Sequence, residues 1–422
     1  MTNEIHLEIR NAFRNDDAQT VGKLLEENPQ LKSLINEPIG PFDSPAITRV
    51  KSVDMMDTLL SAGANIDAKS TWWAGGFGLL HVAEPDLAHA AIERGAKVDA
   101  HAAARLGLID VLKDLVTQDP LVVHERGGDG QTPLHFATTV EVAEFLLDSG
   151  AEIDSIDLDH ESTPARYMIG SRQEIARYLI SRGARCDILM ASALGDIDRV
   201  RGILDELPDK IRLRVSDEFY PLVSDKTGGI IYQWELGWYV SAHQVAKKFG
   251  HEEVFDLLWD RSPDDVKLVT ACWLGDEELA SSVLGANPTV VREMQTAERR
   301  QMAHAARNND TQAVTLMIKA GLPVNTRSQH HATPLHWAAW HGNLEMLNAI
   351  LSRHPSLEDN DNDYGATPLG WAIHGSNNGW FPGEGQYGEV VETLIRAGAK
   401  LPEKASGTDE VRKILAVFGI KD

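Results

Sequence analysis

The sequence predicts an all-α solenoid of about twelve stacked helix-pair units. Two recurring elements and their spacing carry that prediction. "TPLHWAA" at 333 recurs as "TPLGWAI" at 367, "TPLHFAT" at 132 and "GLLHVAE" at 78. A second element follows in each unit, as in "LLSAGANIDA", "AIERGAKVDA", "LLDSGAEIDS", "LISRGARCDI" and "LIRAGAKLPE". The full-length spacing is about 33 to 34 residues, a period at which one helix pair buries its apolar face against the next.

The units run in order from the N-terminus. Residues 1–208 hold an N-terminal series that includes "RNAFRNDDAQTVGKLL" near 10, units starting near Ser44, Gly78 and Thr132, "HAAARLGLIDVLKDLV" at 101 and "LMASALGDIDRVRGIL" at 189. Residues 209–240 break the register. Their β-branched and aromatic residues around "KTGG" read as a candidate β-hairpin insertion. Residues 241–407 resume the repeat with "SAHQVAKKFGHEEVFDLL", "LVTACWLGDEELASSVL" and "MAHAARNNDTQAVTLMI" before the two strongest motifs. A second insertion, 375–388, "GSNNGWFPGEGQYG", separates the helices of the last full unit and is too rich in Gly, Asn and Pro to be helical. Residues 408–422, which begin "TDEVRKILAVFGI", are expected to form a capping helix.

The motif has physical reasons. Thr333 suits the N-cap, and Pro334 suits the first helical position, where its missing N–H goes unused. Leu335 points to the core, Ala338 and Ala339 allow close helix approach, and Gly342 permits the turn. "EMLNAIL" supplies the apolar stripe of the second helix. On these motifs the chain resembles the ankyrin-repeat family over nearly its whole length. "TPLHWAAWHGN", "TPLGWAIHGS" and the Gly-Trp insertion are similar to those of bacterial ankyrin-repeat proteins of unassigned activity. The resemblance implies that His81, His135 and His336 tie the first helix of their unit to the adjacent turn. It also implies that the first helices line a concave face that receives a protein partner.

Bulk properties narrow the function classes. The 422 residues are 43% hydrophobic, which supports a sizeable core. A net charge of −23 repels phosphate backbones and anionic lipid, so neither nucleic acid nor membrane is expected as partner. The start "MTNEIHLEIR" is no signal peptide and no apolar run spans a bilayer, so a cytoplasmic protein is expected. Cys186 and Cys272 are the only cysteines and are expected to be unpaired.

The C-terminal third concentrates unusual residues. By register, the position after the motif His faces outward, with those three and four residues on. That places Trp337, Trp340 and His341 beside Trp371 and His374, His304 and Arg307, and Trp273, on successive first helices about 8–10 Å apart. Trp380 joins them at the rim from the insertion. Each tryptophan offers roughly 150–250 Å² of contact area. The competing reading is that some of these rings pack under neighbouring repeats or insertions.

Chemistry is thinly signalled. No GxSxG, Walker loop or dinucleotide glycine fingerprint occurs. His304 and His374 are candidate bases, Arg307 a candidate anion contact, and Glu384 a candidate acid from the insertion. His330, His331, His336, His341 and His374 are concentrated, but His336 and His341 lie about 140° apart on a helix. No metal and no cofactor are expected. The expected function is recognition of a partner protein or ligand in the concave groove. The alternative is a small-molecule site or enzyme, for a sugar or aromatic compound, within residues 270–388.

Overall fold

The computed structural model describes residues 3–380 and 383–420. Phe381 and Pro382 of the second insertion, and the last two residues of the C-terminal segment, lie outside them. The chain forms two compact units. One comprises Met1–Leu194 and Val215–Gly237, the other Gly195–Arg214 and Trp238–Asp422. Each is built of paired helices, and the described residues carry no strand, only isolated bridges. The all-α repeat prediction therefore holds. No helix is long and apolar enough to cross a membrane.

In the first unit the pairs are Asn3–Arg14 with Ala18–Glu27, then the turn Ala46–Arg49 with Val53–Ser61, then Leu79–Val82 with Pro85–Glu93. Ala100–Leu106 with Ile109–Gln118, Pro133–Phe136 with Val140–Asp148, and Pro164–Met168 with Gln173–Ser181 come next, and then Ile188–Ala193. The second unit opens on Ile197–Glu206. It continues with Ala242–Lys248 and Glu252–Arg261, Asp264–Trp273 and Glu277–Ala286, and Gln301–Arg307 and Thr311–Ala320. Pro334–Trp340 with Leu344–Leu351, Pro368–Asn378 with Tyr387–Arg396, and the closing helix Asp409–Val417 complete it.

A short grammar recurs in several of the pairs. The first helix ends on a residue with positive φ, which reverses the chain at little steric cost when it is glycine, as at Gly275 (φ 70) and Gly342 (φ 62). The next residue caps the second helix: the Asp276 carboxylate accepts the Leu279 N–H at 2.8 Å, and the Asn343 side chain accepts that of Met346 at 2.9 Å. The small pair in the first helix is fully buried at Ala271/Cys272, Ala305/Ala306 and Ala338/Ala339. Met346, Leu347 and Ile350 answer from the second helix, each at 0% exposure. Burying a side chain of that size contributes roughly 1.5–3 kcal/mol. No disulfide joins Cys186 and Cys272, and burial pushes the Cys272 thiol up to about 12.

The motif histidines do what the resemblance implied. The Thr333 N–H donates to His336 Nδ1, and the Nε2–H faces the carbonyls of Asp359 (3.0 Å) and Ala366 (3.1 Å) in the next turn. His135 repeats this with Thr132 and the Ser162 carbonyl, and burial pushes its imidazole down to about 3. In His81 the turn partner is the Asp99 carboxylate at 2.9 Å.

Two local expectations are corrected. Residues 209–240 form no hairpin: they run through Pro208–Arg212, a chain of turns and the helix Tyr232–Glu235. Side chains satisfy backbone groups that a ladder would have used. The Ile231 N–H donates to Ser162 Oγ, the Gly228 N–H to Asp159 and the Val223 N–H to Glu161. Residues 375–388 are not wholly irregular either, because the helix Pro368–Asn378 runs on through "GSNN". Glycine is required at 375: a Cβ there would stand 2.7 Å from the Trp340 carbonyl oxygen. The Ser376 hydroxyl and the Asn378 amide each donate to a carbonyl of their own helix.

In the second unit a buried ion network fastens the stretch of chain at 212–214. The Arg212 guanidinium donates to both Asp265 oxygens at 3.0 and 3.1 Å and to Glu298 Oε1 at 3.0 Å. Arg214 reaches Glu298 Oε2 at 3.3 Å. Arg214 and Glu298 are 2% and 1% exposed.

Candidate functional site

The helices Pro334–Trp340 and Pro368–Asn378 lie side by side and set three indoles against one another. Trp337 and Trp371 meet edge to face at 5.3 Å between centroids, and Trp340 and Trp371 at 6.0 Å. Trp380, just past the end of the second helix, comes within 5.7 Å of Trp337 and 6.4 Å of Trp340. Tyr364 sits 5.7 Å from Trp371, and His330 5.2 Å from Tyr364. His374 stacks on Trp340 at 5.9 Å. Together with Ala366 and Gly370 these rings enclose a cavity of ≈ 420 Å³.

Five of the nine residues expected to form the patch line this cavity: Trp337, Trp340, Trp371, His374 and Trp380. Their exposure is graded. Trp337 and Trp371 are 2% and 5% exposed, Trp340 is half-buried, and Trp380 is 46% exposed. The expectation that Trp337 faces outward is therefore corrected. Its indole N–H donates to Ser328 Oγ at 2.7 Å, and it forms the floor of the cavity while belonging to the core.

The other four stand behind or away from the cavity. His341 is buried, and its Nε2–H donates to the Arg307 carbonyl at 2.9 Å while its ring braces Trp380 at 5.3 Å. The Arg307 guanidinium lies over Trp380 at 4.7 Å and over Trp238 at 4.9 Å, so it holds the rim tryptophan from outside. His304 sits under Tyr239, 3.8 Å between ring centroids, and burial followed by Arg214, Arg300 and Arg307 pushes its imidazole down to about 3. Trp273 is buried and donates its N–H to Gln301 at 3.2 Å. Helical register misplaced His304 because it could not see that Trp238 and Tyr239, at the end of the first insertion, fold over that helix.

Of the candidate catalytic groups, His304 is half-buried beneath Tyr239 and does not line the cavity, Glu384 is exposed and does not line it either, and only His374 reaches the rim. The lining holds no carboxylate, although the Oδ2 of Asp363 lies 3.2 Å from Nδ1 of the lining residue His330. His330 and Tyr364 were missed as lining residues because each lies in a turn, where a solvated side chain is the default. Gly370 offered a readable signal. It stands where the preceding unit has His336, so "TPLGWAI" replaces the motif imidazole by a hydrogen atom beside three tryptophans.

The family model described as "Ankyrin repeats (3 copies)" matches residues 100–190, 268–361 and 302–405. The E3 ubiquitin-protein ligase XB3 of Oryza sativa subsp. japonica is 26% identical over 98 residues, which is 23% of this chain and 22% of that protein. The chain thus matches about a fifth of the length of this curated relative. The crystal structure of the human ASB11 ankyrin repeat domain aligns with 72% of this chain and 99% of its own, at 16% identity and a TM-score of 0.29.

Proposed function

The chain belongs to the ankyrin-repeat family, whose repeats mediate protein–protein interaction, and from that premise we propose that it binds a partner by taking one of the partner's apolar or planar groups into the tryptophan-lined cavity. The observation that carries this is the cavity itself: four indoles and a phenol converge on ≈ 420 Å³ with no carboxylate or guanidinium in the lining. Tryptophan dominates binding hot spots because one rigid ring buries a large area at small entropic cost. Here the inner rings are fixed by packing and Trp380 is held by Arg307 and His341, so little order is lost on binding.

A second reading, a free small molecule with an aromatic or sugar face, is favoured by the size, which falls within the roughly 300–1,000 Å³ of small-ligand pockets. Two substitutions and two probes separate these readings. Gly370→Leu fills the cavity from its wall, and Trp340→Ala removes a wall. Peptides selected from a displayed random library on the wild-type protein should lose binding to both variants. Indole and methyl glucoside, titrated against intrinsic tryptophan fluorescence, report the small-molecule case. Selected peptides that bind Gly370→Leu as well as wild type would place recognition elsewhere on the repeats and end the proposal.

A further inference from the structure

In the first unit, away from the tryptophan cavity, Asp129, Asp159 and His160 bring three donor atoms within 4.8 Å of one another. Their side chains are 16%, 10% and 14% exposed. His160 Nε2 lies 3.8 Å from Asp129 Oδ2 and 3.8 Å from Asp159 Oδ2. These distances are too long for hydrogen bonds. They fit within the roughly 4.2 Å that two donors can span when each is about 2.1 Å from one ion.

The imidazole is oriented for coordination. Nδ1 lies 3.1 Å from the carbonyl oxygen of Gly229. A carbonyl only accepts, so Nδ1 carries the proton, and in the neutral ring Nε2 presents its lone pair to the two carboxylates. Asp159 is oriented too: its Oδ1 accepts the Gly228 N–H at 2.9 Å. Its Oδ2, on a side chain nine-tenths buried, accepts no hydrogen bond among the described residues, and neither oxygen of Asp129 does. The third neighbouring carboxylate, Asp157, is already saturated by the N–H groups of Ser162 and His160 and by the Tyr167 hydroxyl.

Charge is the independent argument. Asp129, Asp157 and Asp159 crowd together, and no lysine or arginine of the described residues forms an ion pair with any of them. A buried site with excess negative charge and one oriented imidazole is short of a cation.

We propose that Asp129, Asp159 and His160 bind a divalent first-row transition ion of the Zn²⁺ or Mn²⁺ class, through two carboxylate oxygens and one imidazole nitrogen. The nitrogen donor disfavours Ca²⁺ and Mg²⁺, which take oxygen. The site joins two successive repeat turns, at 129 and 159–160, to residues 228–229 of the first insertion. That insertion thereby gains a structural role, because its backbone aims two of the three ligands.

The test uses the full chain, stripped with chelator and then dialysed against ZnCl₂, MnCl₂, CaCl₂ or MgCl₂, with bound metal counted per chain and melting followed by circular dichroism. One equivalent of Zn²⁺ or Mn²⁺ is expected, with a raised melting temperature. Binding should weaken at least ~10-fold in His160→Ala and in Asp159→Asn. Asp159→Asn keeps the volume, so it serves if His160→Ala fails to fold. His331→Ala removes an exposed imidazole beside Asp363 and should retain full uptake. Absence of Zn²⁺ and Mn²⁺ uptake by folded wild type, uptake that survives both ligand substitutions, loss in His331→Ala, or preference for Ca²⁺ would each overturn the assignment.

Discussion

Trp337 shows how one side chain serves both packing and a site. It is 2% exposed, yet one face of its ring lines the cavity. Trp337→Ala is therefore expected to cost about 3–5 kcal/mol in urea unfolding, the range for truncating a buried tryptophan. A loss as small as that of an exposed residue would contradict the packing described. Trp340, half-buried, and His374, at the rim, are the positions where binding can be removed at smaller cost, so they are better probes of recognition. Buried histidines set the acid response. Burial pushes His135, His243 and His304 down to about 3, below the ordinary value near 6.5. The neutral form is favoured in the fold, so their contribution is complete above about pH 6.5 and is lost as pH falls towards 3. Asp129 works in the opposite sense. Its raised value favours the protonated carboxyl, so without a cation its contribution fades as pH rises through about 6. The urea midpoint should fall steadily from pH 6.5 to 4, and Asp129→Asn should raise the metal-free midpoint at pH 7. A midpoint flat over that acid range would show that the three imidazoles are hydrated.

At the scale of elements, the departures from a regular repeat are held by specific polar and steric devices. The Arg212–Asp265–Glu298–Arg214 network fixes chain in the second unit through groups almost wholly removed from water. Removing Glu298 would leave Arg214 buried without its carboxylate, and Glu298→Ala is expected to cost about 3–5 kcal/mol. A change below about 1 kcal/mol would mean that water reaches the guanidinium. The extension of helix Pro368–Asn378 depends on Gly375, where a methyl would press on the Trp340 carbonyl. Gly375→Ala should lower stability by about 1–3 kcal/mol and shift the tryptophan emission, because the helix can only relax by moving away from Trp340. The regular elements were legible for reasons these two were not. The small pair at Ala338 and Ala339, the turn at Gly342 and the cap at Asn343 act within a few residues, so local spacing predicts them. The extension of the helix Pro368–Asn378 brings Gly375 against the Trp340 carbonyl of another helix, a contact that local spacing does not reveal. The turns at 216–231 are decided by Ser162, Asp159 and Glu161, more than 60 residues away in sequence.

Over the whole molecule, the repeat was readable because the same local solution recurs at one period, and the concentration of tryptophans was readable from the same alignment of units. What register could not supply was which of those rings face open space. His304 and Trp273 satisfy the same periodicity as Trp337, and they are hidden by Trp238, Tyr239 and Gln301 from other parts of the second unit. The Asp129–Asp159–His160 cluster was missed because its members lie on two turns a full repeat apart. Charge, in contrast, needs no coordinates. There are 63 acidic and 40 basic residues, and the net −23 makes the folded state repel itself. Exposed pairs such as Lys319–Glu277 offset little of this, since each contributes roughly 0–1 kcal/mol. Raising NaCl from about 10 to about 150 mM shortens the Debye length from ~30 to ~8 Å and screens the repulsion more than it weakens the close pairs. The melting temperature should therefore rise over that interval. The same charge opposes a phosphate backbone, so fluorescence anisotropy of a labelled duplex should stay flat at every salt concentration in that range. A melting temperature that falls with salt would mean that ion pairs outweigh net repulsion. Anisotropy that rises at low salt would reveal a basic surface that the overall balance conceals.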